Sequence, residues 1–337
     1  MSFWNKSPGP SFRHYIKSIF VKSKEPEFLP STNNEITTAN KWNIRRALPE
    51  DVPHIIRFWK DHFRRPLSPV CIYNEVELLR QITTQDYILL VAKGARTNDI
   101  YGTIIAQPLG RIKRVGLSHS WSSFDLNWID MYCVHPTHWH KGLGSALLHA
   151  IVAEGAEACI FVKEGGPLKS SIPALRSSFY VYRRVAEECH REIEQWSPME
   201  FITFAQSLPL NNPTSYFIHE EPTDPTNSVV LVYNCFRGRI IAIFNKSHEI
   251  NYETNESMTW CTGILRTGQI LDAENNEAML KLSAAASRHF NSPWVWMDGK
   301  EVNAPPDSPW QIDGTYHLYG FHFDSGVYFN AKPLLIL

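Results

Sequence analysis

The segment from Asp130 to Val152 constrains the fold of this chain more than any other stretch. Residues 130–134 have the composition of a buried strand, which ends at His135-Pro136. Lys141-Gly142-Leu143-Gly144 then forms a glycine-containing turn, and apolar residues recur at helical spacing from Leu143 onward. This order predicts a strand that runs through a tight turn directly into a helix.

Such a unit is suited to binding a phosphorylated ligand. The first turn of a helix has N–H groups without intrahelical acceptors and a partial positive charge, and glycines let a pyrophosphate approach the backbone. Lys141 and the nearby histidines add donors, and the last strand amides could polarise a thioester oxygen. We predict no metal site, because carboxylates and cysteines are not spaced around His135, His138 and His140.

The remaining pattern predicts an α/β (α+β) fold of two pseudo-symmetric halves, each a mixed twisted sheet flanked by helices. We expect an extended arm over 1–40 with one short helix at 12–20, a first half over 41–205 and a second half over 206–337. In the first half, strands are predicted at 42–45, 87–92, 101–106, 127–134 and 158–162, and helices at 49–59, 75–82 and 144–154. In the second half, strands are predicted at 229–235, 239–244, 258–265, 294–297, 316–323 and 333–337, and a helix at 275–290.

Charge and cysteine usage exclude several classes of protein. The 33 basic and 34 acidic residues leave a formal net charge of −1, which argues against a nucleic-acid partner. The six cysteines are scattered and form no CxxC pair, so we expect free thiols and a cytoplasmic location. No apolar run approaches the ~18 residues of a membrane span, so no transmembrane segment is predicted.

Two sets of motifs resemble known families. Val134-His135-Pro136 followed by Lys141-Gly142-Leu143-Gly144-Ser145 resembles the acyl-CoA motif of the GNAT superfamily, with Trp139 where that motif has Arg or Gln. The collinear segments that resemble protein N-myristoyltransferases are Phe3–Pro10, Met131–His135, Tyr180–Arg183, Trp296–Asp298 and Gly314–Leu337.

The resemblance to N-myristoyltransferases implies the fold above and a protein lipidation activity. Myristate would pass from myristoyl-CoA to the N-terminal glycine amine of a protein, a glycylpeptide N-tetradecanoyltransferase reaction. It implies that the backbone amides of Met131 and Tyr132 form an oxyanion hole and that the C-terminal carboxylate of Leu337 is the general base. The residues implied to bind CoA are Phe3, Trp4, Cys133, Val134, His138, Trp139, His140, Lys141, Gly142, Leu143, Gly144 and Ser145. The residues implied to face the peptide are Tyr73, Tyr180, Tyr182 and Asp298.

Two alternatives stay open at this point. One is a GNAT N-acetyltransferase that uses acetyl-CoA and has a short acyl pocket. The other is a catalytically inactive relative that keeps the fold as a structural or adaptor protein. The family's acidic loop before Tyr73 is replaced here by Asp61-His62-Phe63-Arg64-Arg65-Pro66, which favours the inactive relative, whereas the retained Gly142-Leu143-Gly144 turn favours an enzyme.

Overall fold

The fold is described from a computed structural model. It covers residues 42–63, 71–84, 87–94, 99–115, 123–156, 158–164, 175–183, 193–207, 216–219, 226–251, 254–298 and 310–321. The predicted arm at 1–40, with Phe3 and Trp4, lies outside the described residues. So do the predicted strand at 333–337 and Leu337.

The described chain contains fourteen strands and five α-helices, with the helices between groups of strands. The strands of the first part are β1 (Trp42–Arg46), β2 (Cys71–Tyr73), β3 (Ile88–Gly94), β4 (Ile100–Val115), β5 (Ser123–Val134), β6 (Ala158–Glu164) and β7 (Leu175–Arg183). Those of the second part are β8 (Ile193–Trp196), β9 (Tyr216–His219), β10 (Ser228–Cys235), β11 (Arg237–Asn251), β12 (Glu256–Gln269), β13 (Trp294–Asp298) and β14 (Trp310–Phe321). The helices are α1 (Val52–His62), α2 (Glu75–Thr84), α3 (Leu143–Ala153), α4 (Pro198–Ser207) and α5 (Asp272–His289).

All the strands join one sheet in which the same arrangement occurs twice. The order is β1-β3-β4-β5-β6-β14-β7-β13-β12-β11-β10-β8, with β2 beside β11 and β9 beside β4. In the first half, β3, β4 and β5 are antiparallel, and β5 pairs in parallel with β6 across helix α3. In the second half, β10, β11 and β12 are antiparallel, and β12 pairs in parallel with β13 across helix α5. The predicted fold class is therefore confirmed, including its two pseudo-symmetric halves. The boundary at residue 205/206 stays a prediction.

The halves exchange strands where they meet. Strand β7 follows β6 in the chain but pairs with β13, and β14 follows β13 but pairs with β6. Strands β7 and β14 also pair with each other, so the two exchanged strands form the centre of the sheet. Each half is thus completed by a strand from the other.

In each half, helices cover both faces of the sheet. In the first half, α3 buries Leu143, Leu147 and Ile151 on one face, while Ile55 and Trp59 of α1 are buried on the other. In the second half, α5 covers one face with Met279 and Leu282, and α4 covers the opposite face with Phe201. The long apolar strands follow from burial on both faces. Among the described residues, no helix is long and apolar enough to cross a lipid bilayer.

Most predicted elements exist, and the differences have simple causes. Strands β4, β5, β11 and β12 are longer than predicted because their polar ends continue to pair beyond the apolar core, where the short strands β9 and β2 also join β4 and β11. The predicted helix at 49–59 begins as a 3-10 turn at Pro49–Asp51 and continues as α1. Four strands and one helix were not predicted: β2, β7, β8, β9 and α4. These strands are short or lack a clear period of two.

A buried carboxylate joins the turn before α1 to strands β1 and β3. Asp51 is 1% exposed, and its oxygens lie 2.6 Å from both Arg45 Nη1 and Lys93 Nζ. Its Oδ2 also accepts the Leu48 amide at 2.9 Å. Burial alone would raise the pKa of Asp51, but the hydrogen bonds from Arg45, Lys93 and Leu48 outweigh it and lower this pKa from 3.8 to about 2.

We therefore expect Asp51 to make the free energy of unfolding depend on pH. A carboxyl group whose pKa is lowered in the folded state stabilises above its unfolded pKa, and that stability is lost as the pH falls through the folded pKa. Between pH 5 and pH 2, Asp51→Asn should remove roughly 2 kcal/mol of this dependence. Urea unfolding at several pH values measures it. Glu50→Gln, on the same turn but exposed, should leave the slope unchanged, and an equal effect of both variants would contradict the assignment to Asp51.

Candidate functional site

Strand β5 contains a bulge just before the turn that was singled out from the sequence. Thr103 of β4 pairs with Cys133 and Ile105 pairs with Asp130, so Met131 and Tyr132 together lie opposite a single residue. Met131 has a φ of 45°, in the left-handed region that a non-glycine residue seldom adopts. A bulge of this kind bends its strand and redirects its amides, and such bulges are frequent next to active sites.

Side chains hold the irregular backbone of Met131 in place. The Thr103 hydroxyl donates to the Met131 carbonyl at 2.9 Å, and Trp59 Nε1 donates to the Thr103 hydroxyl oxygen at 2.8 Å. The Met131 amide donates to Asp130 Oδ1 at 2.7 Å, and the Tyr73 hydroxyl donates to Asp130 Oδ2 at 3.2 Å. Trp59 and Thr103 are fully buried, so this network fixes the bulge rigidly.

The ladder between β5 and its parallel neighbour β6 ends just before the bulge. The β5–β6 ladder runs from Leu126↔Ala158 to Ile129↔Phe161 and then stops, while β6 continues to Glu164 paired with β14. The edge of β5 at residues 130–134 that faces β6 is therefore outside the β5–β6 ladder. An extended ligand could add to the sheet by backbone hydrogen bonds at this place, which is called the gap between β5 and β6 below because the ladder has ended there.

The turn after β5 ends at a left-handed glycine, and α3 begins directly behind it. Gly142 has a φ of 88°, and a Cβ added there would meet nothing within 4 Å, so its surroundings are open. Ala146 N donates to Gly142 O at 3.0 Å, which is the first intrahelical bond. The first turn of α3 contains no acidic residue, and His140 and Lys141 beside it are exposed. The start of α3 is thus open, positively polarised and flanked by basic side chains.

The equivalent helix of the second half begins very differently. The first turn of α5 contains Asp272 and Glu274. Glu274 Oε2 accepts the Leu271 amide at 3.2 Å, and Glu274 Oε1 accepts the Phe236 amide at 3.1 Å. Carboxylates of the chain itself therefore occupy the start of α5. Of the two pseudo-equivalent helix starts, only that of α3 is suited to an anionic ligand.

A cluster of histidine and aromatic rings fixes the turn to the sheet. Trp42 Nε1 donates to His138 Nδ1 at 3.0 Å, and the Tyr101 ring lies 4.2 Å from the His138 ring. The His62 and His135 rings are 4.4 Å apart, and His135 Nδ1 lies 2.7 Å from Thr137 Oγ1. His138 is therefore placed as an anchor of the turn. In the described part of the chain, no group of three or more His, Cys, Asp and Glu residues is arranged to hold a metal ion.

Burial decides which of the residues predicted to bind CoA could contact it with a side chain and which only with the backbone. The side chains of Cys133, Val134 and Leu143 are buried in the two cores, so only their backbones can reach a ligand. Burial raises the pKa of the Cys133 thiol to about 12, so it is not a thiolate at neutral pH and is not suited to be a nucleophile. Ser145 is half-buried beside the turn.

The predicted peptide-facing residues lie in two groups. Tyr73, on β2, is brought to the bulge by its hydrogen bond to Asp130, and burial, with Asp130 next, raises the pKa of its hydroxyl well above the usual value. Tyr180 and Tyr182 pair with Met297 and Val295 in the β7–β13 ladder, which also contains Asp298. These three residues are thus brought together on neighbouring strands at the centre of the sheet.

Sequence reasoning missed the residues that hold the bulge. Thr103, Trp59 and Asp130 come from three elements, and the contacts between them depend on the register of β4 against β5. A polar residue inside the apolar run Ile100–Ala106 was the one available signal for Thr103. Nothing in the local pattern distinguishes Trp59 from an ordinary core residue.

Comparisons with known proteins agree with this geometry. Residues 55–166, which include the bulge, the turn and α3, match a family model described as the Acetyltransferase (GNAT) family. The fold is similar to a structure of Saccharomyces cerevisiae N-myristoyltransferase with bound myristoyl-CoA, with a TM-score of 0.52 and 9% identity over 98% of this chain and 88% of that one. A further structure of the yeast enzyme with myristoyl-CoA gives a TM-score of 0.50 and 9% identity over 98% and 93%. No curated protein sequence matches significantly.

At 9% identity, the similarity to the yeast enzyme shows the fold alone. The family model matches the part of that fold that contains the bulge and the open start of α3. The chain therefore has a GNAT-like fold, in which the arrangement of the matched segment occurs again in the second half and the halves are joined by exchanged strands.

Proposed function

We propose that this protein is an acyl-CoA-dependent N-acyltransferase that transfers myristate from myristoyl-CoA to the N-terminal glycine amine of a peptide. The observation that carries the proposal is the combination of an open, acid-free start of α3 with the gap between β5 and β6. The first would take the diphosphate of CoA, and the second would take the pantetheine arm as an added strand.

The bulge supplies the position for the reacting thioester. The amine would attack the thioester carbonyl, the C–N bond would form, and the C–S bond would break to release CoA as its thiol. Backbone amides at Met131 and Tyr132 would stabilise the negative charge on the carbonyl oxygen. The Met131 amide donates to Asp130 Oδ1 in this structure, so the oxyanion would compete with Asp130 for that N–H. The base role of Leu337 stays a prediction from the family resemblance.

Myristate is proposed because the yeast structures that share this fold over nearly the whole chain contain myristoyl-CoA. One observation favours a second candidate, transfer of acetyl from acetyl-CoA. The family model that matches residues 55–166 describes acetyltransferases. Calorimetric titration with both thioesters, followed by a transfer assay, distinguishes them. The acceptor is a peptide with an N-terminal glycine, and the control is the same peptide with its amine blocked. Transfer of acetyl alone would select the second candidate, and binding of neither thioester would overturn the proposal.

A negative charge placed in the first turn of α3 tests directly whether the diphosphate of CoA binds there. Ser145→Glu gives α3 a carboxylate at the position that Glu274 occupies in α5. We expect acyl-CoA affinity to fall by roughly 30-fold or more, because lost hydrogen bonds to a charged group cost about 1.5–3 kcal/mol and repulsion adds to this. Thermal stability should be unchanged or slightly higher, because an acid near a helix N-terminus is favourable.

The matched control is Ala273→Glu, an exposed position in the first turn of α5. It adds the same charge to the pseudo-equivalent helix and should leave acyl-CoA affinity unchanged. Equal affinity of the wild-type protein and Ser145→Glu would contradict the placement of the diphosphate at α3.

A further inference from the structure

Trp139 is an exposed aromatic side chain at the edge of the proposed CoA site. It is 50% exposed, and it lies in the turn between the end of β5 and the start of α3. Its Nε1 donates to the carbonyl of Val134, the last residue of β5, at 2.7 Å. Because the only polar group of the indole is already bonded, what remains in water is flat hydrocarbon surface.

The position of Trp139 is fixed on both sides. The hydrogen bond to Val134 holds the indole edge at the end of β5, and the preceding residue, His138, is anchored by Trp42 and packs against Tyr101. The ring is therefore presented by a rigid turn. A preorganised aromatic surface loses little conformational entropy when a planar group stacks on it.

The order of chemical groups in CoA decides what would reach this surface. In the proposed function the pantetheine arm runs from the diphosphate at α3 into the gap beside the bulge. The adenosine, on the other side of the diphosphate, must then leave past the turn that precedes α3. That turn presents the exposed residues Trp139, His140 and Lys141, a flat apolar face followed by two basic side chains.

We propose that Trp139 is the stacking platform for the adenine of CoA, with His140 and Lys141 beside it facing the 3′-phosphate. This inference rests on the proposed function and names a specificity residue of the same site. The indole would give the site affinity for the nucleotide end of CoA that is independent of the acyl chain. Aromatic stacking on a base tolerates a wide range of geometry, so it suits a ligand that enters from solvent.

The test compares CoA with 4′-phosphopantetheine, which lacks the 3′-phosphoadenosine and one phosphate of the diphosphate, by calorimetric titration of the full chain. Trp139→Leu should weaken CoA binding roughly 10-fold, the size expected for one lost base–aromatic stack. It should leave 4′-phosphopantetheine binding unchanged. Trp139→Phe keeps a ring and should fall between the wild-type protein and Trp139→Leu, with the melting temperature of each variant as the check on folding.

Phe236→Leu is the matched control. Phe236 is another large aromatic side chain that is exposed, at 87%, and its amide donates to Glu274 at the start of α5. This variant should bind CoA as the wild-type protein does. Equal weakening of CoA and 4′-phosphopantetheine by Trp139→Leu, or no weakening of either, would overturn the stacking role. Failure of the wild-type protein to bind CoA at all would overturn the proposed function as well.

Discussion

Thr103→Val should lower the free energy of unfolding by about 2–5 kcal/mol, because two buried hydrogen bonds lose a partner at once. Valine keeps the shape of threonine, so the change removes the acceptor of Trp59 Nε1 and a donor to the Met131 carbonyl with little change of volume. We also expect the bulge to relax, so that acyl transfer falls more than acyl-CoA binding does. Urea unfolding and steady-state kinetics measure the two effects.

The second half contains a matched control for this variant. Thr259, on β12, is fully buried like Thr103, but its hydroxyl has no hydrogen-bond partner among the described residues. Thr259→Val should therefore be neutral or stabilising by up to about 1 kcal/mol, because it removes a buried polar group that makes no bond. Equal destabilisation by the two variants would show that the hydroxyl network does not hold the bulge.

Gly268→Ala should cost about 3–5 kcal/mol, because backbone strain and steric overlap add at this position. Gly268 has a φ of 77°, and a Cβ there would lie 2.2 Å from the Arg237 carbonyl oxygen on the neighbouring strand. Neither backbone segment can move freely, because residues 237–238 pair with 268–269 in the β11–β12 ladder. Chemical denaturation monitored by circular dichroism gives the value.

Gly155→Ala separates the two contributions. Gly155 also has a positive φ, 113°, but a Cβ there would meet nothing within 4 Å. Alanine at this position should cost about 1–2 kcal/mol, the conformational part alone. If Gly155→Ala destabilised the protein as much as Gly268→Ala, the close approach of Arg237 would not be the cause.

The part of the site that was predicted from the sequence is the part set by local chemistry. Gly142, Leu143 and the periodic apolar residues after them specify the turn and α3 without reference to the rest of the chain. The repeated order of elements also predicted the two halves. In each half, one helix connects two strands that pair in parallel, α3 between β5 and β6 and α5 between β12 and β13. Local signals of this kind survive in a sequence that shares 9% identity with the proteins of its fold.

The part that was not predicted depends on contacts between distant residues. The bulge at Met131 exists because β4 and β5 shift register there, and Thr103, Trp59 and Asp130 hold it from other elements. Strand β2 was missed because it is three residues long and pairs with β11, far away in the chain. The anchoring of His138 by Trp42 likewise spans 96 residues, so nothing near His138 reveals it.

The contrast between the two helix starts would explain how a fold that repeats one arrangement twice presents the proposed anion site only once. Both halves have the bulge at the same place, since β12 also carries an extra residue, Thr262, two residues after its last parallel pair with β13, and Met131 likewise lies two residues after the last parallel pair of β5. What differs is the first turn of the following helix, where α5 has Asp272 and Glu274 and α3 has no acid. The backbone repeat is therefore preserved while side-chain charge distinguishes the halves.

The exchange of β7 and β14 has a consequence for synthesis on the ribosome. Strand β6 is complete at Glu164, but its neighbour β14 begins only at Trp310. At about 5–20 residues per second, the nascent chain would display the open edge of β6 for roughly 7–30 s. Exposed strand edges pair readily with other chains, so two neighbouring nascent chains could complete each other's sheets. The first half therefore cannot close its sheet before most of the second half has been made, because β6 is covered on this side only by β14.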